Sequence, residues 1–354
     1  MLVIATAISG SGKDEALESF RKYAESRHKK VKIFKTGDML LEHAKRINIR
    51  ITPENVLNTN PTTINALRSA VLESIYSELP KLRKENYVTI VTMHAWFYWK
   101  YRYSSAFDHH YLEKFRPDIY INFLDNVESI ENSLRQRKQW KSFLFGSGVS
   151  KKYGKERILD WQSAEFETTK DWSKRDRKPF FVVPSKTDPR LLYRMIYEPW
   201  RKKFYLGMPL SLFYDKKFSP ARKRIDDLLK WLEKYIVVID PRFIEPLSPQ
   251  HLKVIDHATY HQVVARDLYW LIPGCTGMIA FFPEVTFSAG VNNEMREMHE
   301  TNGETILIYP PDKPASPFLT SWSDGIFRSE EGFKKAFLEW LGKDYLKKVK
   351  ETKD

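Results

Sequence analysis

The sequence predicts an α/β protein built from two doubly wound parallel sheets, one after the other along the chain. Short apolar runs rich in Val, Ile and Phe recur from end to end, separated by stretches with helical spacing. Strand alternating with helix implies parallel pairing, with helices covering both faces of a sheet. A chain of 354 residues is long for one ordinary domain and comfortable for two.

The first half opens with an apolar strand at 2–8, LVIATAI, a glycine turn, and a helix over DEALESFRKYAESR. Further strands are expected at 31–34, 87–91, 117–123 and 178–184, with helices between them. Pro199 and the charges around it break the rhythm, which places the domain boundary near 200 and gives domains 1–200 and 201–354. In the second half, strands are expected at 204–209, 236–240, 277–282 and 305–309. Helices are expected over 221–235, 257–271, 289–301 and 330–341, the third stopped by Asn302-Gly303. That makes a second sheet of four or five parallel strands.

Composition narrows the partners. Lys plus Arg total 58 against 45 Asp plus Glu, a formal charge of +13, which favours anionic ligands; nucleotides and nucleic acid are both eligible. Hydrophobic residues at 42% exclude a disordered chain. The one cysteine, Cys275, excludes an internal disulfide and a Cys-rich zinc module, and points to a reducing, cytoplasmic setting. No apolar run approaches the ~18 residues of a membrane span, and the opening run lacks the basic flank of a signal peptide.

The first turn carries phosphate chemistry: Ser9-Gly10-Ser11-Gly12-Lys13 between strand and helix. Glycines let main-chain N–H groups converge on oxygens, the helix N-terminus adds positive potential, and a lysine meets the outer phosphates. The match to G-x-x-x-x-G-K-[ST] is imperfect, with Ala7 at the first Gly and Asp14 at the hydroxyl that binds Mg²⁺. The other reading of these residues is a plain glycine turn.

With TGDML at 36–40, PDIYINF at 117–123 and Leu134-Arg135-Gln136-Arg137, residues 1–195 resemble the adenylate-kinase-like P-loop nucleoside monophosphate kinases. The resemblance implies ATP with Mg²⁺ at Ser9, Gly10, Ser11, Gly12 and Lys13. It implies an acceptor nucleotide at Thr36, Gly37 and Asp38, and a lid near Arg135 and Arg137. The basic, aromatic segment 134–178 is expected as that lid or as a face for nucleic acid. Leu41 stands at the family's arginine, and Thr92 at its strand-end carboxylate. A nucleotide-binding domain with altered catalysis is therefore as open as a working kinase.

In the second half Ser288-Ala289-Gly290-Val291-Asn292-Asn293-Glu294 follows a strand and opens a helix, with Ser288 as N-cap. Asp267 lies upstream, and Tyr205 is expected at the end of the first strand. A carboxylate pair, a tyrosine and an anion-binding helix end suit cleavage of a bond to a sugar anomeric carbon. SAGVNNE at 288–294, Tyr205-Leu206-Gly207 and Asp267-Leu268-Tyr269-Trp270-Leu271 resemble the nucleoside 2-deoxyribosyltransferase superfamily, closest to the 2′-deoxynucleoside 5′-phosphate N-hydrolases, over 203–325. The resemblance implies a flavodoxin-like domain with Glu294 as nucleophile, Asp267 as proton donor or base contact, and Tyr205 orienting Glu294. Ser288 and the Gly290 amide would hold a 5′-phosphate. It also implies a homodimer, with Ser316-Pro317-Phe318 near the partner. Asn292 replaces a small residue, and Lys216, Lys217 or Arg222 would stand in for a missing basic phosphate ligand.

The expected function is thus a nucleotide-metabolism enzyme that cleaves or exchanges an N-glycosidic bond, fused to a P-loop domain that binds or phosphorylates a related nucleotide. A kinase with an inert C-terminal domain, and a nucleotide sensor or nucleic-acid binder, are the alternatives. The pairs His257/His261 and His109/His110 are expected as polar surface rather than metal ligands, and Cys275 as packed rather than reactive.

Overall fold

The computed structural model describes residues 1–99, 102–137, 140, 151–213, 219–244 and 264–352. The chain divides into two compact units, Met1–Tyr193 and Arg194–Asp354. The division falls before the expected position near 200, inside a helix at Pro189–Tyr197. The physical reason lies in the two arginines that follow the division. Arg194 donates to the Glu233 carbonyl, and buried Arg201 donates to the carbonyls of Lys234 and Tyr235.

The first unit carries β1 (Leu2–Thr6), β2 (Val31–Lys35), β3 (Val88–Met93), β6 (Ile119–Leu124) and β7 (Phe180–Pro184) in one parallel sheet of order β2-β3-β1-β6-β7. The central strands β1, β3 and β6 are buried along their whole length, as a sheet covered on both sides requires, while β2 at the edge carries Lys32 and Lys35. Among the described residues its helices include α1 (Lys13–Ser26), α2 (Thr36–Arg46), α3 (Pro61–Lys84), α4 (His109–Phe115), α5 (Val127–Gln136) and α6 (Lys151–Asp176). The chain leaves β1 towards β2 on one side and leaves its neighbour β3 towards β6 on the other, so the loops after β1 and β3 flank the topological switch point, where open sheets bind ligands.

Two features depart from expectation. The aromatic run after β3 is an antiparallel hairpin, β4 (Trp96–Trp99) and β5 (Arg102–Ser105), rather than a helical stretch. Of the expected lid 134–178, residues 151–176 form α6, a core helix packed on β6. Ile158, Leu159, Trp161, Phe166 and Trp172 are buried there, so this part does not move as a lid. Residues 138, 139 and 141–150 lie outside the described residues.

The second unit has its own parallel sheet: β8 (Lys203–Gly207), β9 (Val237–Ile239), β10 (Gly277–Phe281), β11 (Glu304–Ile308) and β12 (Gly325–Phe327). The order β12-β11-β10-β8-β9 puts its switch point between β8 and β10. After α7 (Pro189–Tyr197), the helices are α8 (Ser219–Leu232), α9 (Ala289–Glu300), α10 (Pro317–Ser321), α11 (Glu330–Leu341) and α12 (Lys343–Glu351). One apolar core, including Phe204, Leu206, Ile225, Ile279 and Phe337, fastens α8 and α11 to the sheet. Where a helix was expected over 257–271, the described part ends in a π-helical turn, Arg266–Leu271. Residues 257–263, with His257 and His261, lie outside the described residues. No helix among the described residues is long and apolar enough to cross a membrane.

Candidate functional sites

In the first unit Gly10 and Gly12 sit at φ +83° and +76°, a left-handed conformation that costs glycine little and side-chain-bearing residues more. A Cβ on Gly10 would also press on Ser133 at 3.2 Å. The loop therefore turns tightly into α1, whose first residue is Lys13. Lys13 is buried, and its Nζ donates to the Met93 carbonyl at 2.9 Å. Burial holds its ammonium below the ordinary lysine range, opposed by Asp14 and Glu165.

The loop is braced from beneath. His94 Nδ1 lies 2.5 Å from the Ala7 carbonyl; a carbonyl only accepts, so this nitrogen carries the proton. Burial, then Lys13, pushes the His94 imidazolium down to about 3, so the ring is neutral. Glu165 on α6 accepts from the amides of Ala95 at 2.7 Å and Trp96 at 2.8 Å. Burial pushes its carboxyl up to about 7, while those amides, Lys13 and the Ala7 amide pull it back.

Lys13, Met93 and His94 line a cleft of about 1060 Å³. Ser9 to Lys13, Thr36, Gly37 and Asp38 all line it. Thr36 Oγ1 donates to the Thr92 carbonyl at 2.8 Å, which fixes the start of α2. Of the two lid arginines, Arg137 lines the cleft. Arg135 is paired with Glu131 on its own helix at 2.5 Å and is absent from the lining. The anionic phosphates of ATP fit the glycine turn and Lys13; oxygen ligands for a Mg²⁺ carried with them are present in the lining carboxylates of Asp14 and Asp125. Asp125 is buried and pairs with Lys186 at 3.1 Å.

Sequence reasoning missed His94, Glu165, Arg68, Lys186 and the aromatic hairpin. Only the hairpin left a signal, an unbroken aromatic run, Trp96-Phe97-Tyr98-Trp99, with Tyr101 and Tyr103 close behind.

In the second unit Tyr205, in the middle of β8 rather than at its end, donates from Oη to Glu294 Oε1 at 2.9 Å, both residues buried. Glu294 is in the second turn of α9 and faces the switch point. A Cβ on Gly207 would overlap the Met278 methyl and come within 3.1 Å of Glu294 Oε2, so a larger residue there would have to displace the methionine tip and crowd the carboxylate. Ser288 caps α9, its Oγ accepting from the Val291 amide at 3.3 Å, and Gly290 is exposed in the first turn. Asp267 is buried in the π-helical turn, which packs against α9. Single-turn π-helical segments recur at functional sites.

Of the basic stand-ins, Lys216 and Lys217 lie outside the described residues, and Arg222 is half-buried on α8. Arg224, which the sequence did not single out, reaches the Pro283 carbonyl at 2.5 Å on the loop leading to Ser288. Phe318 on α10 is 65% exposed. Burial pushes the Cys275 thiol up to about 12, and Sγ points at the Leu271 carbonyl. Among the described residues no group of three His, Cys, Asp or Glu is gathered for a metal ion.

No family model matches the chain, and no curated protein matches it.

Proposed function

We propose that the chain is a nucleotide-metabolism enzyme with two centres. The C-terminal unit cleaves or exchanges the N-glycosidic bond of a (deoxy)nucleoside 5′-monophosphate. The observation that carries this reading is the buried Tyr205–Glu294 hydrogen bond beside the start of α9, at the switch point of a parallel sheet.

In this reading the tyrosine hydroxyl holds one carboxylate oxygen, leaving the carboxylate fixed in orientation. Glu294 attacks C1′ as the bond to the base lengthens through an oxocarbenium-like transition state. The departing base takes a proton from Asp267 or from water, and a glycosyl ester remains on Glu294. Water, or a second base, then attacks C1′ and frees the carboxylate. The 5′-phosphate lies against Ser288 and the first amides of α9, where the helix end favours negative charge. A second copy of the chain, docking near Phe318, closes the site.

The P-loop unit binds a nucleoside triphosphate and phosphorylates a nucleotide. Gly10, Gly12 and Lys13 support this second activity, through a turn that gathers amides and a cation on one wall of the cleft. A kinase with an inert C-terminal unit is the competing reading, and the same cleft favours it.

The test is release of free base from a panel of deoxy- and ribonucleoside 5′-monophosphates, resolved by chromatography, with Glu294→Ala alongside. Base released by wild type and lost in the variant supports the glycosidic centre. No base from any nucleotide, with or without an acceptor base and ATP, leaves the kinase reading.

A further inference from the structure

The residue that follows β3 is pinned from three sides. Lys13 donates to the Met93 carbonyl at 2.9 Å, and Glu165 accepts from the Ala95 and Trp96 amides at 2.7 and 2.8 Å. His94 lies between those anchors. Its Nδ1 donates to the Ala7 carbonyl at 2.5 Å, and Phe97 lies against its ring with centroids 4.8 Å apart. Main chain, tautomer and ring are all held in place.

That arrangement leaves one nitrogen unused. With the proton on Nδ1, Nε2 of the neutral ring carries a bare lone pair. Nε2 makes no hydrogen bond among the described residues and is not sealed in the interior. His94 is half-buried and lines the cleft together with Lys13 and Arg137. An imidazole oriented through Nδ1–H by a fixed acceptor, with Nε2 open, is the form that takes a proton from a nucleophile.

The charges around the ring define that nucleophile. Lys13 from α1 and Arg137, which follows α5, both act on the imidazole, and Glu165 from α6 faces Lys13. Burial and the two cations oppose protonation, so the ring is neutral in the unliganded cleft. Phosphate oxygens arriving on Lys13 offset its charge and raise the basicity of Nε2. An anionic oxygen has no proton to give, and the lone pair on Nε2 repels it. A hydroxyl donates to the same lone pair. The buried carboxylates nearby are already engaged: Glu165 holds main-chain amides and does not line the cleft, and Asp125 pairs with Lys186 at 3.1 Å.

We propose that His94 is the general base of the N-terminal cleft, and that the nucleophile it activates is a hydroxyl, carried by the sugar of an acceptor or by water. The proposal rests on the phosphotransferase reading of this unit and names its attacking group. In the step, a bond forms from the hydroxyl oxygen to the γ-phosphorus of ATP, and the bond from that phosphorus to the bridging oxygen breaks. The electron pair of the broken bond stays on the β-phosphate, so ADP leaves. The hydroxyl proton passes to Nε2, and from the imidazolium to solvent. The product is a phosphate monoester when a sugar attacks and orthophosphate when water does.

The experiment uses the full chain with ATP and Mg²⁺, first in water alone and then with a panel of nucleosides and nucleoside 5′-monophosphates. Phosphorus NMR separates a new monoester, a new anhydride and orthophosphate. His94→Asn keeps a donor for the Ala7 carbonyl and lacks Nε2. It is expected to lower kcat about 100-fold, with ATP binding by calorimetry within about twofold. Wild-type kcat is expected to fall on an acid limb that lies above the unliganded value of about 3 and is missing in His94→Asn. A monoester identifies the sugar hydroxyl as the nucleophile, and orthophosphate identifies water. The proposal is overturned if kcat of His94→Asn lies within about threefold of wild type, if the acid limb survives in the variant, or if the wild-type product is an anhydride. It is also overturned if wild type consumes no ATP under any of these conditions while Lys13→Ala still weakens ATP binding. ATP binding indifferent to Lys13→Ala is a different failure, that of the phosphotransferase reading itself. If His94→Asn loses ATP binding because the loop has lost its brace, wild type alone decides. An acid limb together with a solvent deuterium effect on kcat then supports the proposal, and the lack of either overturns it.

Discussion

The two units use a parallel sheet in opposite ways. The N-terminal unit surrounds a large cleft with main-chain amides, cations and aromatic rings, and His94 and Glu165 brace its glycine loop. The C-terminal unit buries its key group, sealing Glu294 under the Tyr205 hydroxyl with Gly207 alongside. A site that binds phosphates needs donors spread over many atoms, because the charge is spread. A site that attacks one carbon needs a single oxygen held still. In the proposed reading the same switch-point geometry serves both, and what differs is whether the loop or the helix carries the working groups.

That contrast predicts separable losses. Glu294→Ala should lower base release by roughly 10³-fold or more, since Glu294 is the carboxylate on α9 that the Tyr205 hydroxyl holds. ATP binding, followed by calorimetry, should not change. Lys13→Ala should reverse the pattern, lowering phosphoryl transfer about 10²- to 10³-fold and leaving base release untouched. If either substitution silences both activities, the units do not work as separate centres. Tyr205→Phe should cost less, about 10- to 30-fold in kcat for base release with little change in KM, because it loosens the nucleophile without removing it.

Stability should also separate the units. Glu165 has a folded pKa of about 7, raised from 4.5 by burial. A raised acid binds more protons folded than unfolded, so its contribution is fully present below about pH 4.5 and is lost as pH rises through 7. His94 runs the other way: its folded pKa of about 3 is depressed, so stability is lost as pH falls from about 6.5 towards 3. The two slopes oppose each other between about pH 4.5 and 6.5. Urea midpoints of wild type and Glu165→Gln isolate the first. The wild-type advantage should be greatest at pH 4.5 and shrink by pH 8, by an amount on the order of 3 kcal/mol. An advantage that does not vary with pH would falsify the assignment of a buried, titrating carboxyl. The smallest effect is expected at Ser288→Ala, about 1 kcal/mol from the lost cap, read as a lower midpoint for the C-terminal unit.

The strands were legible because burial on both faces leaves unbroken apolar runs, as in Leu2–Thr6 and Gly277–Phe281. The glycine turn and the Ser288 cap were legible too, since each depends on residue type at short, fixed spacing; the Tyr205–Glu294 pairing spans 89 residues and came only from the resemblance. The inner face of α6 was not. Gln162, Glu165, Thr169 and Ser173 are buried at spacings of three and four, so polar residues occupy the positions that a reader assigns to solvent. Three of them reach other elements: Glu165 takes the Ala95 and Trp96 amides, Thr169 meets Thr6 at 2.7 Å, and Gln162 donates to the Asp125 carbonyl, while Ser173 donates to the Lys170 carbonyl of its own helix. Arg68 was hidden for a related reason. A basic residue inside a long helix looks like solvated surface until the fold turns that face to a cleft. The π-helical turn at Arg266–Leu271 was invisible because the pattern of apolar side chains does not distinguish it from an ordinary helix.

Cys275 has a practical consequence. It is the one sulfhydryl in 354 residues, and burial keeps its proton on up to about pH 12. Alkylating reagents attack the thiolate, so near neutral pH the native protein should be almost inert to maleimides. A cysteine introduced at an exposed position such as Phe318 then becomes the single reactive handle. A dye can be attached there without first stripping the protein of its own chemistry.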